Sequence, residues 1–356
     1  MINILETMTE MEHERVCFHQ DADSDLKAII AVHSTKLGNA LGGTRRWHYA
    51  TEHDGLVDAL RLSQSMSYKS ACAGLPMGGA KSVVLLPEPN WAPTEAEARA
   101  MGRFIHTLNG AYIGAEDVGT SIQYIDWMAQ ETPHVKGGET VSDGGDPSPW
   151  TAKGTFNGMK ACLAYAGRDG DFGGLRVAIQ GMGHVGMVLG ELLYEAGAEL
   201  IVADIHDASV QEAVSRFGAT PCCADDILHA ECDVLAPCAL GAVLGPAEIG
   251  ALQTDIVCGA ANNILVDPDR DAATLAAQGV IYGPDFVVNA GGVIHLSGLY
   301  LGFNESALLE RNDAIEVTTA RILDDAAGGS TYKAAVALAQ SRIAAGDPLQ
   351  ESCHAG

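Results

Sequence analysis

A glycine-rich segment near the middle of the chain restricts the possible folds more than any other feature. Residues 181–186 read Gly-Met-Gly-His-Val-Gly, a complete GxGxxG motif. The motif follows an apolar run at 175–180 and opens a helical pattern that extends toward Ala196. A second apolar run at 200–203 ends in Asp204, about 20 residues after the glycines. Strand, glycine turn, helix, strand and acid in this order predict a Rossmann βαβ unit rather than a glycine turn that serves packing alone.

Such a unit binds the pyrophosphate of a dinucleotide. Gly181 permits the tight turn, Gly183 lets the backbone approach the phosphates, and the helix N-terminus supplies partial positive charge. Asp204 is expected to accept hydrogen bonds from the ribose hydroxyls and to repel a 2′-phosphate, which predicts NAD rather than NADP. The predicted cofactor-binding residues of this unit are Gly181, Met182, Gly183, His184, Val185, Gly186 and Asp204.

Short apolar runs alternate with Ala-rich helical segments from about residue 150 onward. The runs at 177–180, 200–204, 233–236 and 256–258 predict parallel strands covered by helices on both faces. A Gly/Pro/Ser-rich segment at 144–149 predicts a hinge or loop, and the stretch from Asn304 predicts packed helices. We therefore predict an α/β protein with two domains, residues 1–147 together with C-terminal helices at about 332–356, and residues 148–331.

The charge balance disfavours polyanionic partners. The 356 residues include 46 acidic and 21 basic side chains, which gives a net charge of −25. This field repels nucleic-acid phosphates and anionic lipids, so neither nucleic acid nor membrane is expected as a partner. Nine scattered cysteines without a CxxC pair, and no HExxH motif, predict neither a disulfide framework nor a metal site. Four glutamates near the N-terminus are unlike a signal peptide and favour a cytoplasmic protein.

Two of the eight lysines lie among small, uncharged residues. Lys69 falls in a helical stretch that Thr51 is placed to cap, three residues after Met66 and on the same helix face. Lys81 ends the segment Pro-Met-Gly-Gly-Ala at 76–80, predicted as a turn, and precedes an apolar strand at 82–86. Burial and a neighbouring cation lower the pKa of an amine and make it a base near neutral pH. Taken alone, Lys69 favours an ordinary helix lysine, and Lys81 leaves both roles open.

Further polar residues follow predicted strands. Asp117 comes after a strand at 112–116, where the commoner role of a carboxylate is to cap the next helix. Segments 259–263 and 289–293 contain amides and glycines and are predicted to follow strands of the second domain. The carboxyl ends of parallel strands are where such sheets bind ligands.

Together these segments resemble the amino-acid dehydrogenase family, and they are most similar to its leucine- and phenylalanine-specific members. The resemblance covers nearly the whole chain and is most specific at 41–45 (LGGTR), 67–69 (SYK), 76–81 (PMGGAK), 115–120 (AEDVGT), 236–241 (APCALG) and 289–292 (NAGG). It implies a substrate-binding and oligomerisation α/β domain and a Rossmann-type NAD-binding domain, separated by a deep cleft. It also implies a homo-oligomer, often an octamer.

The resemblance assigns roles residue by residue. Lys81 corresponds to the catalytic lysine that activates water, and Asp117 to the proton-transfer carboxylate. Lys69 corresponds to the lysine that holds the substrate α-carboxylate, and Asn289 to an amide near the substrate amino group. Gly42 and Gly43 correspond to a turn that receives the substrate. Cofactor contacts are implied for Ser148, Thr151, Cys238, Ala239, Leu240, Ala260 and Asn262.

One departure from the family pattern lies beside the catalytic lysine. Ala80 stands where the family usually has a third glycine, and alanine adopts fewer backbone conformations than glycine.

The implied substrate pocket is apolar, with Leu41, Met66, Ala115, Val293 and Leu296 at its positions. Leu41 stands where glutamate-specific members have a lysine, so a second substrate carboxylate would be buried without a partner. The expected reaction is reversible oxidative deamination of an apolar L-amino acid to the 2-oxo acid and ammonia. Ala115 favours leucine and other branched-chain substrates, whereas His295-Leu296 resembles the phenylalanine-specific members, which leaves an aromatic substrate as the alternative.

Two other classes remain as hypotheses. A 2-hydroxy-acid dehydrogenase needs a catalytic histidine and an arginine clamp, which Arg45 and Arg46 could supply, but none of the 12 histidines lies in a convincing motif. A non-catalytic NAD sensor would be expected to lose the lysines or Asp117, and all three are present.

Overall fold

Two separate sheets divide the chain. The computed structural model describes residues 3–138, 145–239 and 241–346. One unit comprises Met1–Gly145, Leu296–Phe303 and Ala339–Gly356, and the other comprises Asp146–His295 and Asn304–Leu338. The boundaries expected at 147/148 and near 332 lie close to two of these divisions, and the roles expected for the two domains stay predictions.

The first unit is built on a five-stranded mixed sheet with strand order β1-β2-β4-β3-β5. Its elements are α1 (Ile4–Glu10), β1 (Arg15–Asp21), β2 (Leu26–Ser34), β3 (Ala40–Trp47), α2 (Glu52–Cys72), β4 (Gly78–Leu85), α3 (Glu95–His106), β5 (Tyr112–Glu116) and α4 (Ile122–Ala129). Strands β3, β4 and β5 are parallel, whereas β2 is antiparallel to both β1 and β4.

Side chains of the central strands alternate between two faces. Ala80, Val84 and Tyr112 belong to a core that includes Met101 of α3 and Ile125 of α4. Val83 of β4 instead packs with Ile29 of β2 and with Leu56 and Leu60 of α2. Successive strand residues point to opposite sides of a sheet, so odd-numbered positions of β3, β4 and β5 face α2. As expected, Thr51 caps α2, its Oγ1 accepting a hydrogen bond from the Asp54 amide at 3.2 Å.

The glycines expected to form turns lie inside strands, and both turn predictions are wrong. Gly42 and Gly43 are residues of β3, and β4 begins at Gly78, three residues before Lys81. A Cβ atom on Gly79 would lie 2.0 Å from the Ser67 backbone nitrogen of α2, and one on Gly42 would lie 1.7 Å from the Ala80 carbonyl oxygen. These glycines are needed for close packing of distant backbone segments rather than for a reversal of chain direction.

The second unit is built on a six-stranded parallel sheet with strand order β11-β10-β9-β6-β7-β8. Its elements are α5 (Ser148–Tyr165), β6 (Arg176–Gln180), α6 (His184–Glu195), β7 (Glu199–Ala203), α7 (Asp207–Phe217), β8 (Thr220–Pro221), β9 (Val234–Pro237), α8 (Pro246–Gly250), β10 (Ile256–Val257), α9 (Pro268–Ala277), β11 (Ile281–Tyr282), α10 (Asp285–Val288), α11 (Gly291–Leu301), α12 (Glu305–Ala326) and α13 (Thr331–Ala345). The C-terminal residues of α11 and α13 are assigned to the first unit.

The parallel sheet confirms the βαβ pattern expected from the sequence. Val177 and Ile179 of β6 are buried in one core, and the intervening Ala178 belongs to a core on the other face. Burial on both faces explains why these strands read as continuous apolar runs. The strand order reverses between β6 and β9, which is the position where open α/β sheets form their ligand-binding crevice.

One local prediction in this unit is wrong, and a second holds for only part of its segment. Asn289 follows the short helix α10 rather than a strand, because Pro284 has a φ of −58° and directly starts a helical turn after β11. The segment expected as a hinge or loop already becomes helical at Ser148, the first residue of α5, with a proline in the first turn. Gly144 of that segment lies outside the described residues.

Helices of the described segments are all too short or too polar to cross a lipid bilayer. In the same segments, no cluster of His, Cys, Asp and Glu side chains has a metal-binding arrangement.

Candidate active site

Three neighbouring strands bring the two expected catalytic residues together. The Lys81 Nζ of β4 lies 2.9 Å from the Asp117 Oδ2, one residue beyond β5. The strand between them, β3, carries Gly43 at the closest point, and a Cβ atom there would lie 2.6 Å from the Asp117 Cβ. Glycine at position 43 therefore leaves room for the carboxylate. Asp117 is not a helix cap, since Ser121 caps α4.

Burial and charge both act on this pair. The side chain of Lys81 is 6% exposed and that of Asp117 is 20% exposed. Burial lowers the pKa of Lys81 below its usual range, the Asp117 carboxylate opposes this change, and the nearby Arg45 cation reinforces it. Burial alone would raise the pKa of Asp117, but Lys81 and Arg45 outweigh burial and lower it. A carboxylate in direct contact with an amine that loses its proton readily is suited to proton transfer.

Arg45 is a third charged residue in contact with this pair, and the sequence analysis did not predict its contacts with Asp117 and Asp58. Its Nε lies 2.9 Å from the same Asp117 Oδ2, and its Nη1 lies 2.9 Å from the Asp58 Oδ2 of α2. The available signal was strand alternation, which places Arg45 two residues after Gly43 on the same face. Arg46 faces the opposite side, where it is buried in a two-bond contact with Glu97. Neither arginine is arranged as the substrate clamp of a hydroxy-acid dehydrogenase.

The expected substrate-pocket residues are distributed over both units. Leu41 and Ala115 are buried on the sheet face that carries Lys81. Met66 and Lys69 are half-buried on α2, and Leu296 lies near Gly137, where a Cβ atom would be 3.6 Å from the leucine Cδ2. Val293 is buried in the second unit. The substrate-binding roles of these residues stay predictions.

The glycine turn has the backbone geometry that the motif requires. Gly181 has a φ of +95°, a left-handed conformation that favours glycine, and a Cβ atom there would lie 2.8 Å from the Ala239 Cβ. A Cβ atom on Gly186 would lie 2.0 Å from the Gly181 carbonyl oxygen, so this glycine lets α6 pack against the turn. Met182 is buried, and Val185 is half-buried beside it. The His184 side chain is mostly exposed, 3.9 Å from the Asp146 carboxylate.

Asp204 is anchored at the end of β7. Its Oδ2 accepts a hydrogen bond from the Met182 amide at 2.7 Å, and its Oδ1 accepts one from the His206 amide at 2.8 Å. Each carboxylate oxygen can accept more than one hydrogen bond, so both retain capacity for a ribose hydroxyl.

Other expected cofactor contacts surround the carboxyl ends of β9 and β10. The Asn289 Nδ2 donates hydrogen bonds to the Ala260 carbonyl at 3.1 Å and to the Asn262 Oδ1 at 2.9 Å. Burial raises the pKa of Cys238 to about 12, so this thiol stays protonated at neutral pH. Leu240 lies outside the described residues.

The expected contacts Ser148 and Thr151 lie in the first turn of α5. The Ser148 amide donates to the Asp146 Oδ1 at 2.8 Å, and the Thr151 Oγ1 donates to the Pro147 carbonyl at 3.2 Å.

These features fit a dinucleotide. A Cβ atom on Gly183 would meet nothing within 4 Å, so space is open at the N-terminus of α6. The Asn289 Oδ1 is buried and accepts no hydrogen bond from the described part of the chain. Open space at a helix N-terminus and an anchored acid match the phosphate and ribose groups of a dinucleotide, and the unsatisfied amide oxygen is left to accept a hydrogen bond from a bound ligand.

Comparison with known proteins identifies the family. Residues 13–134 match the family model described as the Glu/Leu/Phe/Val dehydrogenase dimerisation domain, and residues 202–334 match the Glutamate/Leucine/Phenylalanine/Valine dehydrogenase model. The chain is 43% identical to leucine dehydrogenase of Bacillus cereus, covering 96% of this chain and 94% of the relative. It is 42% identical to valine dehydrogenase of Streptomyces virginiae, covering 82% of each.

A solved structure agrees with these sequence matches. The crystal structure of L-tryptophan dehydrogenase from Nostoc punctiforme superposes with a TM-score of 0.84 at 38% identity, covering 95% of this chain and 98% of that one. The chain therefore belongs to the Glu/Leu/Phe/Val dehydrogenase family of amino-acid dehydrogenases, oxidoreductases that use a nicotinamide cofactor.

Proposed function

We propose that this protein catalyses the reversible NAD-dependent oxidative deamination of an apolar L-amino acid, with leucine and other branched-chain amino acids as preferred substrates. The observation that carries the proposal is the 2.9 Å contact between Lys81 Nζ and Asp117 Oδ2. This contact lies on a sheet face that also carries the buried apolar residues Leu41 and Ala115. A proton-transfer pair beside apolar side chains suits an amino acid whose side chain has no charge.

Lys81 and Asp117 carry out different proton transfers in the reaction. When bound, the oxidised dinucleotide accepts a hydride from the substrate α-carbon, which leaves an imine on the substrate. Lys81 in its neutral form removes a proton from the water that adds to this imine. Asp117 moves a proton to the amino group of this adduct. The C–N bond then breaks to release ammonia, and the hydroxyl proton of the adduct returns to the Asp117 carboxylate, which leaves the 2-oxo acid. Lys69 pairs with the substrate α-carboxylate.

The side-chain pocket has no charged residue, so we expect it to prefer an uncharged substrate side chain. Leu41, Met66, Ala115 and Leu296 of the first unit offer no cation to a second carboxylate, so glutamate would leave a buried charge without a partner. Ala115 narrows the pocket relative to glycine and favours branched aliphatic side chains. A methyl group in an apolar pocket changes discrimination by only about 1–3 kcal/mol, so the preference is graded.

An aromatic substrate is the second candidate. It is favoured by the similarity to L-tryptophan dehydrogenase of Nostoc punctiforme, which is 40% identical over 96% of each chain. The family also includes phenylalanine-specific enzymes. Larger rings require more room beside residue 115 than a leucine side chain does.

The choice of NAD rests on Asp204. Its carboxylate is fixed by two backbone amides beside the glycine turn, where a 2′-phosphate would meet a negative charge.

Assembly of identical copies through the first unit is supported by the family model of residues 13–134, which is described as a dimerisation domain. An octamer and a cytoplasmic location stay predictions.

A substrate panel tests the proposal directly. Purified protein is supplied with NAD or NADP and with L-leucine, L-valine, L-phenylalanine, L-tryptophan, L-glutamate or 2-hydroxyisocaproate, and nucleotide reduction is followed by absorbance. We expect the highest kcat/KM with NAD and a branched-chain amino acid, and ammonia-dependent NADH consumption with the matching 2-oxo acid. Higher kcat/KM with an aromatic amino acid supports the second candidate. Activity on the hydroxy acid alone would refute deamination.

A further inference from the structure

Four charged side chains from four separate segments form one connected cluster in the first unit. They are Arg45 of β3, Asp58 of α2, Lys81 of β4 and Asp117 after β5, and Tyr49 joins them through a 2.7 Å hydrogen bond from its hydroxyl to the Asp58 Oδ2. Two cations and two carboxylates balance in charge. The exposed Arg61 approaches the other oxygen of Asp58 at 3.6 Å and forms the outer edge of the cluster.

Two cations converge on one carboxylate oxygen of Asp117. Lys81 Nζ and Arg45 Nε each lie 2.9 Å from Oδ2. The Asp117 backbone is held separately, because its amide donates to the Thr120 Oγ1 and its carbonyl accepts from the same hydroxyl. The carboxylate is therefore fixed through its Oδ2.

The guanidinium of Arg45 is itself fixed from behind. Its Nη1 donates to Asp58, and the Tyr49 hydroxyl donates to the same Asp58 oxygen. The planar fork of an arginine can bridge two carboxylates with separate nitrogens, which the single ammonium of a lysine does much less well.

We propose that Arg45, anchored by Asp58 and Tyr49, is a positioning residue that orients the proton-transfer carboxylate of Asp117 toward the substrate. This inference rests on the proposed function, since it gives Asp117 its proton-transfer role. Arg45 acts through Asp117 and contacts neither substrate nor cofactor.

The same cation adjusts both reacting groups. Arg45 lowers the pKa of Lys81 and lowers the pKa of Asp117. Loss of its charge therefore moves both pKa values upward. Asp58 of α2 also acts on Lys81, and Arg61 of α2 approaches Asp58; both remain in place in a variant of residue 45.

The test compares Arg45→Gln, Arg45→Lys and Asp58→Asn with the wild type, and Arg61→Gln is the matched control because it removes a guanidinium from the same Asp58. The readouts are the pH dependence of kcat/KM for deamination, the separate values of kcat and KM, the affinity for NADH and the melting temperature. We expect R45Q to lower kcat about 10²-fold, with KM for the amino acid and the affinity for NADH nearly unchanged. Both limbs of its pH profile are expected at higher pH.

The two other variants separate charge from geometry. R45K keeps the positive charge, so we expect its pH profile to stay near that of the wild type while its kcat falls. D58N removes the anchor of Arg45 and is expected to lower kcat less than R45Q does, and R61Q is expected to behave as wild type. If R45Q does not fold, R45K and D58N carry the test.

The outcomes are distinguishable. A pH profile and kcat of R45Q that match the wild type refute the positioning role. A fall in kcat without a shift of the pH limbs, equal in R45Q and R45K and accompanied by a lower melting temperature, also refutes it in favour of a purely structural role. Failure of the proposed function shows earlier, as a wild-type protein that deaminates no amino acid of the panel.

Discussion

Removal of the Lys81 amine is the most direct perturbation of the proposed chemistry. Lys81→Ala deletes the group, and Lys81→Met deletes only the amine while retaining a long side chain in the buried space. General acid–base catalysis contributes about 10²–10⁴-fold, so we expect kcat to fall about 10³-fold in both variants. At about 1.4 kcal/mol for each factor of ten, this loss corresponds to about 4 kcal/mol in the activation barrier.

The effect on stability is expected to be smaller. Breaking a buried ion pair costs about 3–5 kcal/mol when the remaining charge has no partner. Here Arg45 stays 2.9 Å from the same oxygen of Asp117, so the carboxylate keeps a cation. We therefore expect the free energy of unfolding to fall by about 1–3 kcal/mol, with a folded protein at room temperature.

The assay measures deamination of L-leucine by NADH absorbance, together with NADH binding by fluorescence titration. Nucleotide affinity should stay near the wild-type value, because Lys81 belongs to the first unit and the glycine turn belongs to the second. Lys153→Ala is a suitable control, since Lys153 is a half-exposed lysine 3.8 Å from Asp313. Turnover of K81M within tenfold of the wild type, with normal folding, would show that this amine is not the base.

Three further predictions concern other parts of the chain. Burial lowers the pKa of His13, and it lowers the pKa of His33 to about 3. The unfolded chain therefore binds more protons than the folded one below about pH 6.5. As the pH drops from there toward the folded-state pKa values, the free energy of unfolding measured in urea should fall by up to about 1.4 kcal/mol per pH unit for each imidazole. The His33→Asn variant should show a weaker pH dependence. Ala80→Gly restores the usual family residue but removes a buried methyl group facing the α3 side of the sheet, so the free energy of unfolding should fall by about 1–2 kcal/mol while kcat stays within a few fold; a large change in kcat would contradict this placement. Asp204→Ala removes the acceptor of the Met182 amide and the negative charge beside the turn, so KM for NAD should rise about tenfold or more and the preference for NAD over NADP should shrink, whereas an unchanged preference would place the selectivity elsewhere.

The nucleotide-binding unit could be predicted from sequence because its signals are local. The strand before Gly181, the helix after Gly183 and the acid at 204 are adjacent in the chain, and each depends on backbone rules that act over a few residues. The structure confirms the parallel strands and the course of α6 for this reason.

The first unit was harder to predict because its strand glycines are required by contacts with residues that are distant in the sequence. Only glycine fits at position 79, because the Ser67 backbone lies too close for a Cβ atom, and only glycine fits at position 42, because the Ala80 carbonyl does. A local interpretation assigns such residues to turns, and only the packed structure shows that they lie in strands. The pairing of Arg45 with Asp58 and Asp117 is likewise a tertiary contact that no local spacing reports.

The alternation of side chains in β3, β4 and β5 has a practical consequence for redesign of this protein. Odd-numbered residues of these strands, such as Leu41, Lys81 and Ala115, share the reactive face, whereas even-numbered ones, such as Ala80 and Tyr112, fill the opposite core. A mutant library for selectivity would therefore vary Leu41 and Ala115 and keep the other odd positions, because Val83 packs against α2 and a Cβ atom on Gly43 or Gly79 would clash. A library that also varied the even positions would include chains with a disrupted core, whose low yield would be mistaken for lost activity.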